Sequence, residues 1–371
     1  MIRVLHVVAS TSQSSGVMNC VMNYYRFLDK EKIQFDFLCF KKIDLNFNSE
    51  ISCLGGNIFC VNKPSIKNLF RTYREFDSFF SNNAAKYIAV HLHEVYLVHF
   101  IKHFCKKYNI KHLITHVHTT KYSDNPKNAL RNRIMCLGLN DVATDLFACS
   151  KAAGEFYYGK KAVESGLVKV IYNAIDLEKY KFNKSIRNKV RKELNLENKF
   201  VVGHIGRMAP QKNQLFLLRV FAEVKKEKKD AVLLMVGDGP LRSEIENEIL
   251  KLGLTDSVIL LGVRNDVPNL LMAMDVFVLP SFYEGLPVVC VEAQACGLKC
   301  VLSNSITRET DMGGSNYLSL KDSYKKWASI ILQNVGKIYR EDYIGNLIKN
   351  GYSIKIGVET LQNYYIKLKR L

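Results

Sequence analysis

Residues 274–297 have the sequence MDVFVLPSFYEGLPVVCVEAQACG, which carries the pattern of a strand, a loop and a helix. The first part is a short, almost wholly apolar run, typical of a buried parallel strand. Pro287 stands where a helix accepts proline, at its first position, and Gly297 stands where a helix usually ends. The segment therefore predicts an α/β fold, in which strands alternate with helices.

Two glutamates follow the apolar run of this segment, and their positions predict a ligand site. Glu284 falls in the loop, and Glu292 falls inside the helix. The unpaired amides and the positive dipole end of the first helical turn favour a diphosphate between them. Ligands of open α/β sheets bind at the carboxyl ends of strands, where this loop lies. The alternative stays open that Glu284 caps the helix and Glu292 is a solvated surface acid.

A second candidate loop follows the apolar strand near residue 201, in the segment VVGHIGRMAPQKNQ at residues 201–214. Gly206 allows a close approach of the backbone, and Arg207 and Lys212 supply two cations that could neutralise a diphosphate. The alternative is two solvated basic residues.

Four segments, HVVASTSQSSGVMN, GRMAPQKN, VGDGP and LLGVRNDVPNLLMAMDVFVLPSFYEGLPVVCVEAQACG, occur in this order along the chain. Together they resemble the retaining glycosyltransferase family 4, and within it the capsular and exopolysaccharide branch. The resemblance covers essentially the whole chain. It implies a GT-B fold, two Rossmann-like α/β domains with parallel sheets that face each other across a cleft. The second domain would hold most of the donor, and the first most of the acceptor.

The resemblance also implies roles for individual residues. Glu284 would hold hydroxyls of the donor sugar, Glu292 would accept hydrogen bonds from the ribose, and backbone near Val263 would meet the base. The implied catalytic residues are His118, Arg207, Lys212 and Glu284. The implied donor-binding residues are Gly16, Gly206, Arg207, Lys212, Val263, Arg264, Glu284, Gly285, Leu286, Pro287 and Glu292. Relatives retain the anomeric configuration and act without a metal ion, so we expect no cofactor.

Seven of the nine histidines fall between residues 91 and 118. The pairs His91/His93 and His116/His118 each follow alternate positions of a strand, so each pair shares one face and the two could meet at one sheet edge. A zinc site with Glu94 is conceivable, but polar groups lining the cleft are the preferred interpretation.

Three residues are candidates for the acceptor side of the cleft, namely Gly16, His116 and His118. By resemblance, one histidine approaches the transferred sugar, and we favour His118 because it lies closer to the end of its strand. Gly16 could instead be a simple turn glycine.

The chain has 371 residues, which favours two domains. Apolar runs form two series separated by a charged segment after residue 176. We predict an acceptor-binding domain at residues 1–176, a sugar-nucleotide-binding domain at 177–357 and a final helix at 358–371 that crosses back to the first domain. The runs are Val4–Val8, Phe35–Phe40, Tyr87–Leu92, Leu113–Val117, Leu146–Ala148 and Val168–Tyr172, then Phe200–His204, Val232–Val236, Val258–Leu261, Val276–Leu279 and Cys300–Leu302.

No apolar run has the length of a membrane span, and the N-terminus continues directly into a strand pattern without a signal peptide. We therefore expect a cytoplasmic protein. The ten cysteines lie mainly in apolar surroundings and form no CxxC pair, which predicts buried reduced thiols.

The formal net charge is +18, and residues 101–133 alone contribute about +7, with Asp124 as their only acid. Phe104, Tyr108 and Tyr122 are interleaved with these basic residues. The region could bind the anionic inner face of the cytoplasmic membrane, where a lipid-linked acceptor would be found. The alternative is a solvated basic face. No nucleic-acid-binding motif accompanies the charge, so no nucleic acid partner is expected.

The sequence thus predicts a hexosyltransferase that moves a hexose or N-acetylhexosamine from a nucleoside-diphosphate sugar, with UDP favoured, to a lipid-linked saccharide. A sugar-nucleotide epimerase with the same architecture is the alternative, and a basic nucleic-acid-binding protein is a further one. A nicotinamide oxidoreductase is disfavoured, because no GxGxxG with a following acid comes after a strand.

Overall fold

The computed structural model describes residues 1–13, 15–41, 43, 45–65, 68–123, 125–336 and 340–369. Asp124, counted in the predicted basic region, and residues 370–371 of the predicted final helix lie outside this range. The chain forms two compact units. Unit 1 comprises Met1–Ala174 and Ile354–Leu371, and unit 2 comprises Ile175–Ser353.

Unit 1 is built on a parallel sheet with seven strands in the described part of the chain, in the order β3-β2-β1-β4-β5-β6-β7. The strands are β1 (Ile2–Ser10), β2 (Ile33–Lys41), β3 (Ile58–Cys60), β4 (Ala89–Leu92), β5 (His112–Val117), β6 (Asp145–Ala148) and β7 (Val168–Val170). The helices are α1 (Gly16–Phe27), α2 (Asn48–Cys53), α3 (Leu69–Asn83), α4 (Val98–Lys107), α5 (Pro126–Met135), α6 (Leu139–Val142), α7 (Lys151–Tyr158) and α8 (Lys160–Glu164), joined by α17 (Ile354–Leu368) near the C-terminus.

Unit 2 repeats this plan with a parallel sheet of six described strands, in the order β10-β9-β8-β11-β12-β13. The strands are β8 (Phe200–Ile205), β9 (Ala231–Val236), β10 (Val258–Leu260), β11 (Val276–Leu279), β12 (Cys300–Ser303) and β13 (Ser315–Leu318). The helices are α9 (Leu177–Tyr180), α10 (Lys184–Glu193), α11 (Gln214–Glu227), α12 (Arg242–Lys251), α13 (Val267–Ala273), α14 (Val288–Ala295), α15 (Tyr324–Leu332) and α16 (Ile344–Lys349). Short 3-10 turns are Ala84–Lys86 and Val95–Leu97 in unit 1, and Pro210–Lys212 and Arg308–Thr310 in unit 2.

Each sheet is covered on both faces, which explains why its central strands are apolar runs. In β11, Val276 and Val278 pack into the core beneath α11 and α15, and Phe277 and Leu279 pack into the core beneath α10, α13 and α14. The predicted α/β class with two parallel sheets is confirmed. Every predicted apolar run forms a strand, and β3 and β13 are additional strands.

The helix α17 supplies five side chains to the core of unit 1, including Leu361 and Tyr365. All ten cysteines are free thiols. Cys53 and Cys60 are exposed, so the prediction that the cysteines are buried is wrong for these two, which lie at the end of α2 and on the edge strand β3. Among the described residues, no helix is both long enough and apolar enough to cross a bilayer.

Candidate functional site

The two candidate loops of unit 2 follow neighbouring strands. β8 pairs with β9 on one side and with β11 on the other. The helix that follows β8, α11, lies in the core on one face of the sheet, and the helix that follows β11, α14, lies in the core on the other face. Chains that leave adjacent strands toward opposite faces open a crevice at the carboxyl ends, the usual ligand position in such sheets.

Hydrogen bonds join the loop after β8 to the loop after β11. Lys212 Nζ lies 2.7 Å from Glu284 Oε1, and Gln211 Nε2 donates to Glu284 Oε2 at 3.2 Å. The Gln211 side chain also donates to the carbonyl of Tyr283, and the Phe282 amide donates to the carbonyl of Gln211. The structure therefore brings Lys212 and Glu284, which are far apart in sequence, into one polar cluster.

The Lys212–Glu284 pair is partly shielded from water, with side chains 15% and 8% exposed. An ammonium carries three donors, so the contact with Glu284 leaves capacity for an anionic ligand. Gly206 leaves room for the Lys212 side chain, because a Cβ at position 206 would lie only 3.2 Å from Lys212 Cδ and Cε. Arg207 is exposed in the same loop, and its carbonyl accepts from Gln214 Nε2.

Glu292 is the fifth residue of α14, and its Oε1 accepts a hydrogen bond from Tyr180 Oη at 2.6 Å. Burial raises the pKa of Glu292, and the Tyr180 hydrogen bond opposes that rise to a smaller extent. Pro287 is the N-cap of the helix, one position before the predicted one, because its φ of −73° and ψ of 92° are extended. Gly297 ends the helix with a φ of +71°, as predicted.

The remaining predicted donor-binding residues of unit 2 divide into two environments. Gly285, Leu286 and Pro287 are buried in the loop before α14. Val263 and Arg264 are exposed after β10, and the Arg264 guanidinium pairs with both carboxylate oxygens of Asp266 at 2.7 and 2.8 Å. Among the described residues, neither of these two exposed side chains forms a hydrogen bond or an ion pair with Lys212 or Glu284.

In unit 1, five histidines form a cluster of hydrogen-bonded and stacked rings, which we call the imidazole cluster. His6 on β1, His91 and His93 at β4, and His116 and His118 at β5 contribute to it. The ring nitrogens pair as His6 Nδ1 with His93 Nε2 at 3.0 Å, His93 Nδ1 with His118 Nε2 at 2.8 Å, and His91 Nε2 with His116 Nδ1 at 3.1 Å. The other nitrogen of His91 lies 2.6 Å from the Tyr365 hydroxyl.

Burial keeps the cluster uncharged. It lowers the pKa of His6 and of His118 to about 3, and it lowers the pKa values of His91, His93 and His116 well below 6.5, with further lowering from neighbouring imidazoles. Neutral imidazoles both donate and accept, which allows this mutual pairing.

Two sets of three histidines bring their ring nitrogens within 4.8 Å, namely His6/His91/His93 and His93/His116/His118. Glu94 belongs to neither set. The rings of His91 and His93 are stacked 4.7 Å apart and parallel to within 3°, so their in-plane lone pairs do not converge on one point. Three ring nitrogens of the cluster, His6 Nε2, His116 Nε2 and His118 Nδ1, are buried without a hydrogen-bond partner among the described residues, and the absence of a catalytic metal stays a prediction.

The acceptor-side candidates have different exposures. His116 is buried inside the imidazole cluster, and His118 is half-buried just after the end of β5. Gly16 is exposed at the first position of α1, where Ser15 caps the helix and a Cβ on Gly16 would meet no atom within 4 Å. Neighbouring side chains therefore do not explain a glycine at this position.

Three residues near the candidate sites were not identified from the sequence. Gln211 joins the two loops of unit 2, Tyr180 binds Glu292, and His6 completes the imidazole cluster. Gln211 lies next to Lys212 and could have been considered with it. Tyr180 and His6 contact partners on distant segments, and no local signal marks them.

Comparisons with known proteins agree with this geometry. The family model "Glycosyl transferases group 1" matches residues 186–313, which include both candidate loops of unit 2. The putative glycosyltransferase EpsF of Bacillus subtilis is 34% identical over 370 residues, covering 98% of this chain and 96% of EpsF.

Two further proteins resemble the chain. The UDP-Gal:alpha-D-GlcNAc-diphosphoundecaprenol alpha-1,3-galactosyltransferase of Escherichia coli is 43% identical over 37% of this chain and 36% of its own length. The crystal structure of HepE from Anabaena in complex with UDP and glucose covers 100% of this chain and 98% of HepE, with a TM-score of 0.75 and 19% identity. The structural likeness confirms the predicted GT-B fold.

Proposed function

This chain belongs to the group 1 glycosyltransferases, and from that premise we propose that it transfers a hexose or N-acetylhexosamine from a UDP-sugar. The proposed acceptor is a hydroxyl of a lipid-linked saccharide, in the synthesis of a capsular, exopolysaccharide or related cell-surface glycan. The E. coli relative is named for a UDP-Gal donor and a diphosphoundecaprenol-linked acceptor, and HepE was crystallised with UDP and glucose. Both observations support this choice of substrates.

The observation that carries the proposal is the polar cluster of Gln211, Lys212 and Glu284 at the carboxyl ends of β8 and β11. Such a crevice suits a nucleotide, and its groups are of the types that bind a sugar diphosphate. Lys212 and Arg207 stabilise the negative charge that develops on the leaving diphosphate, and Glu284 accepts hydrogen bonds from sugar hydroxyls. Glu292, held by Tyr180, accepts from the ribose.

We further propose that transfer retains the anomeric configuration and needs no metal ion. The acceptor hydroxyl attacks on the face from which the diphosphate leaves, and a diphosphate oxygen takes its proton. The bond between the anomeric carbon and the diphosphate breaks as the new glycosidic bond forms. Arg207 and Lys212 supply the positive charge that a metal ion would otherwise supply. His118 contacts the transferred sugar, and Gly16 leaves room for substrate at the start of α1.

The proposed place of action is the inner face of the cytoplasmic membrane, because a lipid-linked acceptor is held there. The predicted basic region 101–133 would meet anionic lipid. The predicted contribution of its aromatic residues is wrong for Phe104, which is fully buried in unit 1. Tyr108 is half-buried, and its hydroxyl donates to Asp77 Oδ1 at 2.8 Å.

A ligand-binding assay tests the donor first. We expect millimolar UDP to raise the thermal midpoint of the full chain and GDP, CMP and NAD to leave it unchanged, since only a ligand of the folded state stabilises it. Stabilisation by NAD alone would overturn the proposal, and stabilisation by GDP alone would replace UDP with GDP in it.

A transfer assay with UDP-sugars and lipid-linked acceptors tests the chemistry. Lys212→Ala should lower kcat about 10²–10³-fold, the usual loss on removing one group that stabilises transition-state charge. The matched control is Lys326→Ala, which removes another lysine of unit 2, on α15, whose ion pair is with the surface residue Asp322. NMR of the product should show a retained anomeric configuration, and EDTA should not lower the rate. Conversion of the sugar nucleotide without an acceptor would instead establish an epimerase.

A further inference from the structure

The helix α5 in unit 1 turns its large apolar side chains outward. Leu130 is 62% exposed and Ile134 is 58% exposed, and Leu137, which follows the helix, is 64% exposed. The one buried residue of α5 is a polar one, Asn132. This is the reverse of the usual surface helix, which buries its apolar stripe and exposes polar residues.

Asn132 fixes this orientation of the helix. Its Nδ2 donates to the carbonyl of Tyr122 at 2.9 Å, and its Oδ1 accepts from the Arg131 guanidinium. The start of α5 is equally well defined, because the Asn125 side chain accepts from the Asn128 amide and Pro126 occupies the first turn. The outward apolar row is therefore held in place by the fold.

Spacing places the two exposed apolar side chains of the helix on one side. Positions 130 and 134 are separated by four residues, the spacing of neighbours on a helical surface, and Leu137 directly follows the C-cap residue Cys136. Three basic residues surround them, and all three are exposed: Lys127, Arg131 and Arg133. Within the described part of the chain, none of the three forms an ion pair with a carboxylate. We call these six residues the α5 face.

We propose that the α5 face docks on the surface of an anionic lipid bilayer. Leu130, Ile134 and Leu137 enter the boundary between headgroups and acyl chains, and the three basic side chains contact lipid phosphates. This proposal rests on the proposed function, because it names the surface through which the enzyme meets a lipid-linked acceptor. A polar helix surface with exposed apolar residues amid Lys and Arg is the composition that binds in the interface plane of membranes.

The positive charge of the α5 face favours an anionic bilayer over a second copy of the chain as its binding partner. Two copies packed through their α5 faces would bring the three cations of each copy close to those of the other, and like charges across an interface oppose association. An anionic bilayer presents the opposite charge, and each Lys or Arg near such a surface strengthens binding. Because α5 is already folded, docking of this helix would not need a transition from disorder to order.

Vesicle co-sedimentation of the full chain tests the proposal. We expect binding to vesicles of phosphatidylglycerol and phosphatidylcholine, and binding to pure phosphatidylcholine that is at least about tenfold weaker. The triple variant Leu130→Ser/Ile134→Ser/Leu137→Ser should weaken binding to the mixed vesicles at least about tenfold. Lys127→Gln/Arg131→Gln/Arg133→Gln should remove the preference for phosphatidylglycerol.

The control variant is Leu250→Ser, which changes a leucine that is 65% exposed on α12 of unit 2 and should bind vesicles like the wild type. A fluorophore on I134C should shift its emission to the blue on mixed vesicles, whereas the same fluorophore on L250C should not. Wild-type binding by the triple Ser variant would overturn the proposal. A change from dimer to monomer in that variant, without loss of vesicle binding, would assign the face to a second copy and also overturn it.

Transfer assays with two acceptors distinguish a failure of the docking proposal from a failure of the proposed function. If only the docking proposal is wrong, the triple Ser variant transfers sugar to membrane-embedded acceptor as fast as the wild type does. If both are right, this variant loses transfer to the embedded acceptor and keeps transfer to a short, water-dispersed acceptor. If the proposed function is wrong, neither acceptor is glycosylated by the wild type.

Discussion

Mild acid should unfold unit 1 before unit 2, because the imidazole cluster lies in unit 1. Burial lowers the folded-state pKa of His6 and His118 to about 3, and of the other three members well below 6.5. In unit 2, burial lowers the pKa of His204 to about 4. These histidines are uncharged in the folded state, and they take up protons more readily once unfolding exposes them to water.

The direction of the change in stability with pH follows from proton uptake. Between the folded and unfolded pKa values, the unfolded chain binds more protons, so the free energy of unfolding falls as the pH drops below about 6.5. Each histidine with a folded pKa near 3 costs about 2 kcal/mol at about pH 5 by this linkage. His6 and His118 together remove about 4 kcal/mol from unit 1, a large share of the stability of a domain, and the three further histidines, whose pKa values burial also lowers, add to this loss. His204 removes only about 2 kcal/mol from unit 2 by the same relation.

The chain provides separate probes for the two units. Its one tryptophan, Trp327, is buried in unit 2, so its fluorescence reports on that unit. Hydrogen–deuterium exchange of peptides from β1, β4 and β5, corrected for intrinsic rates, reports on unit 1. Between about pH 7.5 and about pH 5, we expect protection to collapse in these strands while Trp327 fluorescence stays native.

Two variants sharpen the test. His6→Gln should weaken the pH dependence of protection in unit 1 by about 1.4 kcal/mol per pH unit, the share of one histidine. Ile114→Val, in the core beside the cluster, should lower stability by about 0.5–1.5 kcal/mol at every pH and leave the pH dependence unchanged. The reasoning is refuted if the strands of the two units lose protection at the same pH, or if His6→Gln keeps the wild-type slope.

Three further outcomes are expected. Tyr180→Phe removes the hydrogen bond to Glu292, so KM for the UDP-sugar should rise several-fold with little change in kcat. An unchanged KM would contradict the proposed contact between Glu292 and the ribose. Asp275→Asn breaks a buried network with Arg187 and Arg191, so urea unfolding followed by Trp327 fluorescence should show a loss of about 3–5 kcal/mol. Gly237→Ala places a Cβ 2.2 Å from the Gly206 carbonyl at a φ of +126°, so it should lower both the thermal midpoint and UDP binding; a wild-type midpoint would contradict this.

The sequence predicted the buried strands and the edge strands β7 and β10, and it missed the edge strands β3 and β13. Central strands such as β9 and β11 are enclosed on both faces and therefore appear as uninterrupted apolar runs. The edge strands β3 and β13 have only one neighbour each, and most of their residues are partly exposed. β13 contains Ser315 and Asn316 and lacks an apolar run, and β3 has only three residues.

The candidate site was predictable in its loops and not in its contacts. Glu284, Arg207 and Lys212 could be found because each follows a recognisable strand. The position of Tyr180 against Glu292 depends on how α9 packs on α14, which no local pattern encodes. In the imidazole cluster, alternation along β4 and β5 predicted that the two pairs would meet. His6 joined them only through the register of β1, which places it beside His91.

The helix α17 has a consequence for biosynthesis. It is synthesised after the whole of unit 2, yet Val358, Leu361 and Tyr365 complete a core whose other residues come from the first half of the chain. On the ribosome, unit 2 has its whole sequence while unit 1 still lacks this helix. During that interval the groove beneath α17 is open, and the hydroxyl of Tyr365 has not reached His91. Unit 1 is thus translated first, but its core can be completed only after the whole of unit 2 has been synthesised.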